Sequence, residues 1–567
     1  MNLNAEQLQA IAAGEGAWNI MATAGAGKTE VLTRRAKRLL EEGASPDDLL
    51  LVTFTSNAAD SIKARLGIAN YTKQMRGGPR TFHSFCLNLI QKESRFLPYH
   101  LSSTPFPDGL VIFRLILDAM RQNGVDRKEY DEFKSFISRN KRERISPEEA
   151  CEDPLNDHAF ARGYSTYESS LRNAGLLDYD SMIVEAVHLL ERHPEVRMRW
   201  QFKWVLVDEA QDTDDLQFTL LQLISQKYGN VFVVGDFCQA LYSFRGAKPE
   251  NLVHFANWFP NAQTIILPEN YRSTAEIVAY SKKNPPIDND LTRAIRTSNP
   301  PSGIPIEFRM YSGPWEEAEA ILSAASFDPS NSAILARTNN QLGIIETLAM
   351  QNNVKFHRLG ETTFWTQPEV KLLVSLIDFC TKARRSSRPT EERLIPYRRE
   401  ILRATVEEAV LKIIAYAGLE SLYSNEAYSD DENFAISNLY TVADIAKRFS
   451  SLTTFLIHAR KAAHASRKSK NAITLATIHA AKGLEWDNVF VIGVERGKLP
   501  HEKGDLQEER RIWYVARTRP RKRLRVSFAG TPSEFLVDDL TPEIRKELRK
   551  HAETVEKIQK QQELFAK

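Results

Sequence analysis

At 567 residues the chain is too long for one ordinary domain, and at roughly 100 to 200 residues each it predicts three or four. Its 42% hydrophobic, 26% charged and 9% aromatic content is that of a globular protein and excludes wholesale disorder, while no stretch approaches ~18 uncharged apolar residues, which argues against a membrane span. The formal net charge of +2 neither requires nor excludes a polyanionic partner, because binding depends on where Lys and Arg cluster.

The chain opens MNLNAEQLQA, polar from its second residue, so no signal peptide is expected. Short apolar runs follow at 18–22, 49–54, 204–207 and 231–234, each succeeded by polar residues and a helical pattern. That is the strand-loop-helix rhythm of a parallel α/β domain, in which ligands sit at the carboxyl ends of strands. The runs at 332–336, 473–477 and 489–492 repeat it and predict a second such domain. Residues 96–174 and 381–467 are charged, helically periodic and poor in β-branched runs, and are read as mainly helical insertions. The prolines Pro285, Pro286, Pro300 and Pro301 mark the connection between the two α/β domains, and residues 542–567 form a charged terminal helix or tail. Basic runs at 141–144 (KRER), 467–470 (RKSK) and 519–525 (RPRKRLR) are each read as solvated faces. Cys86, Cys151, Cys238 and Cys380 lie far apart without a CxxC pair, so neither disulfides nor a zinc or iron-sulfur site is expected, and a reducing cytoplasm fits best.

Residues 22–29 (ATAGAGKT) follow an apolar strand and open a helical pattern. Glycines at 25 and 27 let backbone amides approach phosphate oxygens. The helix N-terminus adds favourable partial charge, Lys28 neutralises oxygens, and the Thr29 hydroxyl is placed to ligate Mg²⁺. Some 180 residues on, 205–212 (VLVDEAQD) is an apolar strand ending in paired acids. Asp208 would hold the magnesium ion and Glu209 would polarise the attacking water, since phosphoryl transfer needs a positioned nucleophile and charge compensation.

With these two motifs in order, the chain resembles helicase superfamily 1A, the group of UvrD, Rep and PcrA, almost end to end. Residues 3–10 (LNAEQLQA) are similar to its Q motif, 51–66 (LVTFTSNAADSIKARL) to motif Ia, 81–86 (TFHSFC) to motif Ib and 177–181 (LDYDS) to the element before motif II. Residues 233–247 (VVGDFCQALYSFRGA) resemble motif III, 267–274 (LPENYRST) motif IV, 477–493 (TIHAAKGLEWDNVFVIG) motif V and 508–519 (EERRIWYVARTR) motif VI. The resemblance implies an α/β fold of two RecA-like P-loop domains with parallel sheets. The first domain would span 1–95 and 175–278, with insertion 96–174; the second 279–380 and 468–541, with a reduced insertion 381–467.

It further implies an ATP- and Mg²⁺-dependent 3′–5′ helicase or translocase on single-stranded DNA and its junctions with duplex, acting in repair, replication restart or recombination. The phosphates would lie on Thr23, Ala24, Gly25, Ala26, Gly27, Lys28, Thr29 and Glu30, with Gln7 reading adenine, Tyr271 stacking on it and Glu485 touching the ribose. Gln239 would sense the γ-phosphate, and Arg272 and Arg519 would act as arginine fingers, each able to contribute ~10³ to 10⁵ in rate. Phe54, His83, Tyr179, Tyr242, Phe244, Arg245 and His479 match positions that meet the single strand, with Arg337 as a phosphate contact. Aromatic platforms suit a motor that grips any base and releases it, whereas core packing is the rival reading for each ring alone.

Some positions depart from the family pattern. Residues 237–242 (FCQALY) replace a DDQSIY-like run, although Gln239 and Tyr242 survive; Thr23 and Ala26 stand for the usual Gly and Ser; Pro520 follows the finger arginine. The second insertion is about half the family's size and lacks a glycine-containing motif for gripping duplex. Size alone raises an alternative, an ATP-gated DNA sensor working with a nuclease partner, similar to the helicase-like subunit of anti-phage systems such as Gabija. No nuclease carboxylate-lysine cluster is evident in this chain itself.

Overall fold

Runs of valine, leucine and isoleucine can be buried on both faces only in a parallel sheet covered by helices on each side, and that is where they lie. The structure is a computed structural model describing residues 3–67, 75–242, 246–360, 363–382, 385–423, 432–464, 471–546 and 548. It comprises two units, the first chiefly Met1–Tyr271 with Ile287–Ser298, the second Arg272–Pro286 with most of the chain from Asn299 onward.

The first unit is built on six strands, β1 (Ala17–Ala22), β2 (Leu49–Thr53), β3 (Gly78–Thr81), β4 (Trp204–Val207), β5 (Val231–Gly235) and β6 (Gln263–Leu267), in the order β3-β2-β4-β5-β1-β6. All neighbours pair in parallel. Alternate residues of one strand feed opposite cores: Leu50, Val52, Val205, Val207, Val231 and Val233 pack with Phe85, Phe202 and Phe218, while Leu49, Leu51, Leu206, Phe232 and Val234 pack with Val31, Leu32 and Ala36. The first insertion holds the helices Gly109–Asn123, Tyr130–Glu143, Pro147–Glu152 and His158–Ala174 around a core of its own that includes Phe133, Phe160, Tyr164 and Tyr167.

The second unit repeats the plan with β7 (Glu307–Met310), β8 (Ser332–Ala336), β9 (Phe356–Arg358), β10 (Ile473–Thr477), β11 (Trp486–Val491) and β12 (Pro520–Phe528), ordered β7-β12-β11-β8-β10-β9 and again parallel throughout. Between β9 and β10 come helices including Pro368–Thr381, Val406–Ala417, Glu432–Ala446 and Leu452–Ala463, with Val410, Ile413, Leu439 and Val442 buried among them. The two α/β sheets expected from the sequence are therefore present. No helix among the described residues is long and apolar enough to cross a membrane.

Two basic runs are not the solvated faces expected. Lys141, at the head of KRER, is only 3% exposed, and residues 519–525 lead into and form much of β12, with Arg519, Pro520 and Leu524 buried and 521–523 exposed. The RKSK run at 467–470 lies outside the described residues, as do residue 547 and all of 549–567; of the expected terminal helix, residues 542–546 are helical.

Candidate active site

In the first sheet β4, β5 and β1 are consecutive, with Val207 beside Val233 and Met21 beside Gly235, so the loops leaving their carboxyl ends lie side by side. Those loops carry the glycine-rich turn, the paired acids and the 236–242 segment. Gly25 and Gly27 adopt φ of +74° and +77°, a region open to glycine, and Gly27 caps the helix Lys28–Glu41 at its amino end. A Cβ on Gly27 would lie 3.2 Å from Gln7 Nε2.

Gln7 itself is buried and donates to the Ala26 carbonyl at 2.9 Å, while its Oε1 accepts from the Asn4 amide in a capping box. The carboxyl end of its helix, Ala5–Ala12, is held by the helix after the loop: Arg35 donates to the Ala13 carbonyl at 2.5 Å and Arg38 to that of Ile11 at 3.0 Å. Tyr271, just past β6, is tied to the same turn by its amide, which donates to the Gly25 carbonyl at 3.0 Å. Thr23, Ala24 and Ala26 are buried, whereas Glu30 is half-buried and pairs with Arg34 at 2.6 Å and Arg65 at 3.7 Å along the helix surface.

Thr29 Oγ1 lies 3.2 Å from the Asp208 carboxylate. Asp208 is 4% exposed, and burial, reinforced by Glu209 and opposed by Lys28 and Thr29, pushes its carboxyl up to about 7. Glu209 sits in the left-handed region, at φ 53° and ψ 43°, an uncommon conformation for a side chain of this kind and one found most at functional sites.

Two residues given no role from the sequence complete the set. Gln211 donates to Glu209 Oε2 at 2.5 Å and accepts the Asp236 amide at 2.9 Å; Gly235 admits it, since a Cβ there would lie 2.7 Å from Gln211 Oε1. Asp236, fully buried, accepts from Gln239 Nε2 at 2.6 Å and lies 4.0 Å from the Lys28 ammonium. Burial raises its carboxyl as well, with Lys28 and Gln239 opposing. Asp236 ends an apolar strand just as Asp208 does, and that shared signature is how the sequence could have exposed it.

Further aromatic residues lie in the same unit. Phe54 stacks on Tyr242 with ring centroids 4.8 Å apart and planes 16° from parallel. Tyr179, 61% exposed, meets His83 edge-on at 5.2 Å and Phe106, a ring not singled out from the sequence, at 4.6 Å. None of Phe54, His83, Tyr179 and Tyr242 is fully buried: Tyr179 is exposed and the other three are half-buried. Beside them a groove of about 570 Å³ is lined by Ser56, Lys63, Arg80, Thr81, Ser84 and Asn88 among others. Phe244 and Arg245 lie outside the described residues.

In the second unit Arg272 forms an ion pair with Glu485 and donates to the Thr518 carbonyl at 3.0 Å. Arg519 is fully buried, donating from Nε to Val515 at 3.0 Å, from Nη1 to Leu484 at 3.2 Å and from Nη2 to Thr518 Oγ1 at 3.0 Å. Arg272, Glu485 and Arg519 are thus brought together. His479 is half-buried in the turn after β10, and Arg337 after β8 pairs with the buried Glu509 at 2.7 Å. Among the described residues no cluster of three or more His, Cys, Asp or Glu forms a metal cage.

Residues 3–260 match the family of UvrD/REP helicase N-terminal domains, and residues 265–444 and 417–531 match that of UvrD-like helicase C-terminal domains. Among curated proteins the chain is 28% identical to an ATP-dependent DNA helicase PcrA of Staphylococcus epidermidis strain RP62A, and 29% identical to that of Staphylococcus aureus strain MRSA252. Each alignment covers 94% of this chain and 84% of the relative.

Proposed function

Because the chain belongs to the UvrD-like helicases of superfamily 1A, we propose that it is a DNA-dependent ATPase and helicase that moves 3′ to 5′ on single-stranded DNA in the cytoplasm. The observation that carries this reading is the joined set of Lys28, Thr29, Asp208, Glu209, Gln211, Asp236 and Gln239 at the carboxyl ends of three adjacent strands. Such a set binds phosphates through loop amides and Lys28, and it aims a carboxylate, Glu209, at the position of an attacking water. Gln7 and Tyr271, both fastened to the glycine-rich turn, are the candidates for the base.

Magnesium fits the donors present. It prefers hard oxygens and retains several waters, binding through one or two carboxylates plus substrate phosphates, so Thr29 Oγ1 and Asp208 suffice as its protein ligands. When bound it neutralises charge on the transferring phosphoryl group. A buried Asp208 whose proton is held near neutrality is a site where a divalent cation would restore the charged form.

Arg272 and Arg519 are assigned to the charge that develops during transfer, a guanidinium's usual service there. The exposed or half-buried rings Phe54, His83, Tyr179, Tyr242 and Phe106, with His479 and, by resemblance, Phe244 and Arg245, are assigned to bases. The hydroxyl-lined groove bearing Lys63 and Arg80 is assigned to the sugar-phosphate backbone. Four free cysteines accord with a reducing compartment.

The test is ATP turnover with and without an oligo-dT strand. The wild-type protein should be stimulated by the strand, and Lys28→Ala and Glu209→Gln should each reduce stimulated turnover by at least about 10³-fold, as loss of the phosphate clamp or water-orienting group demands. Near-normal turnover in either variant would refute the site.

A further inference from the structure

Helix Tyr130–Glu143 of the first insertion turns two residues of the KRER run inward, toward the elements that carry the aromatic rings. Lys141 is almost fully buried, a costly position for an ammonium unless it is paired. Here it pairs with Glu168, reaches Asp178 at 2.7 Å and Ser181 Oγ at 2.9 Å, and lies over the ring of Tyr167, whose hydroxyl also donates to Asp178, at 2.8 Å. Asp178 is the amino-terminal cap of helix Tyr179–Arg192 and accepts from the Ser181 amide. On the other side of Tyr179, Asp180 accepts from Ser138 of the insertion helix at 2.5 Å. Both neighbours of the exposed Tyr179 are therefore pinned by that one helix.

The next residue of the run braces a second element. Arg142 packs on Gly246, where a Cβ would fall 2.9 Å from its Nε and 3.3 Å from its Cζ; Gly246, at φ +88°, precedes Ala247, whose amide donates to the Tyr242 carbonyl at 3.2 Å. One face of the insertion helix thus touches the start of the Tyr179 helix and Gly246, the neighbour of the residue whose amide holds the Tyr242 carbonyl. A merely solvated basic face would do neither.

We propose that helix Tyr130–Glu143 is a brace that sets the positions of Tyr179 and, through Gly246 and Ala247, of Tyr242, with Lys141 and Arg142 as positioning residues through which the first insertion fixes how tightly a single strand is gripped. The inference rests on the assignment of Tyr179 and Tyr242 to DNA. Lys141 touches no base in this scheme; it acts through Tyr179, and that dependence is what distinguishes it from a structural staple.

A double-mutant cycle on the full chain tests it, reading affinity for a fluorescent oligo-dT strand and the strand concentration that half-saturates ATPase stimulation. Tyr179→Ala should weaken both about tenfold, within the range for losing one stacked base. Lys141→Gln should weaken them by about fivefold to tenfold, with turnover at saturating strand held within about twofold, and should add less than about twofold in the Tyr179→Ala background. Equal losses from Lys141→Gln in both backgrounds would overturn the brace. An unaffected Tyr179→Ala would instead strike down the assignment of Tyr179, and the brace with it. Should Lys141→Gln not fold, Ser138→Ala removes only the bond to Asp180. It should weaken binding about twofold to threefold, again only where Tyr179 is present, and wild-type affinity in that variant would overturn the proposal.

Discussion

Gln211 is one of the groups that hold Glu209 in place. The Glu209 backbone occupies the left-handed region and its carboxylate receives the Gln211 amide at 2.5 Å, while the other end of Gln211 accepts the Asp236 amide. On the proposed role of Glu209 in orienting the attacking water, a displacement of about 1 Å can cost ~10²-fold in rate, so Gln211→Ala is expected to lower turnover about 10- to 100-fold at saturating strand with little change in KM for ATP. Gly235→Ala should copy it, because the added methyl would occupy the place of Gln211 Oε1 and of Leu252 Cδ2, each 2.7 Å away. Steady-state ATPase checks both, and normal turnover in Gln211→Ala would show that Glu209 needs no such support. Lys28, Thr29, Asp208 and Glu209 were legible in the sequence because each stands at a fixed offset within a motif. Gln211 and Asp236 were harder to find, since their task is to hold other residues and becomes visible only when β4 and β5 lie side by side.

The elements divide the same way, by burial. The strands covered on both faces are written as uninterrupted apolar runs, so β4, β8 and β10 lie where the sequence put them, and β1, β2 and β5 differ by a residue at an end. Four strands absent from the sequence reading, β3, β6, β7 and β9, are the edges of the two sheets. Edge strands are short and polar, as GPRT, EFRM and FHR are, and a proline in β3 is tolerated where one side needs no partner. Strand β12 was hidden differently: after the buried Pro520 its first half displays Arg521, Lys522 and Arg523, and Leu524 and residues 526–528 enter the core.

Glu317, on helix Pro314–Ala325, joins the last two strands in the chain by accepting the Gly493 amide at 3.0 Å beyond β11 and the Ser527 hydroxyl at 2.5 Å on β12. Burial pushes its carboxyl from an ordinary 4.5 up to about 7. The folded state then keeps a proton that the unfolded state releases, so this group's stabilisation is complete below about 4.5, falls as pH rises, and is lost above about 7, a change on the order of 3 kcal/mol. Glu317→Gln keeps the acceptor oxygen and removes the titration. Amide exchange in β11 and β12, corrected for intrinsic rates, should therefore be slower in the variant than in wild type at pH 8 and similar at pH 5. Parallel profiles in the two proteins would count against a buried, protonated Glu317.

For the molecule as a whole, the question is what turnover accomplishes. The stretch between β9 and β10 is helical, as expected for an insertion that the sequence reading takes to be reduced, and the alignments cover 84% of the length of each Staphylococcus relative. A motor that opens duplex must offset about 1.4 kcal/mol of stacking at each base-pair step, so its hydrolysis has to be coupled to movement of the strand. A sensor that signals to a nuclease has no such demand. Hydrolysis alone cannot separate the two, since both would be stimulated by a single strand. Strand displacement can. On a duplex of about 20 base pairs, a length whose total stacking no single binding event could offset, the protein is expected to release the labelled strand when the tail is 3′ and to leave a 5′-tailed duplex intact, with Lys28→Ala inactive on both. Release from the 5′-tailed substrate would reverse the assigned direction. Vigorous strand-stimulated hydrolysis with neither duplex opened would transfer the assignment to the sensor, and the partner it controls would then be the thing to find.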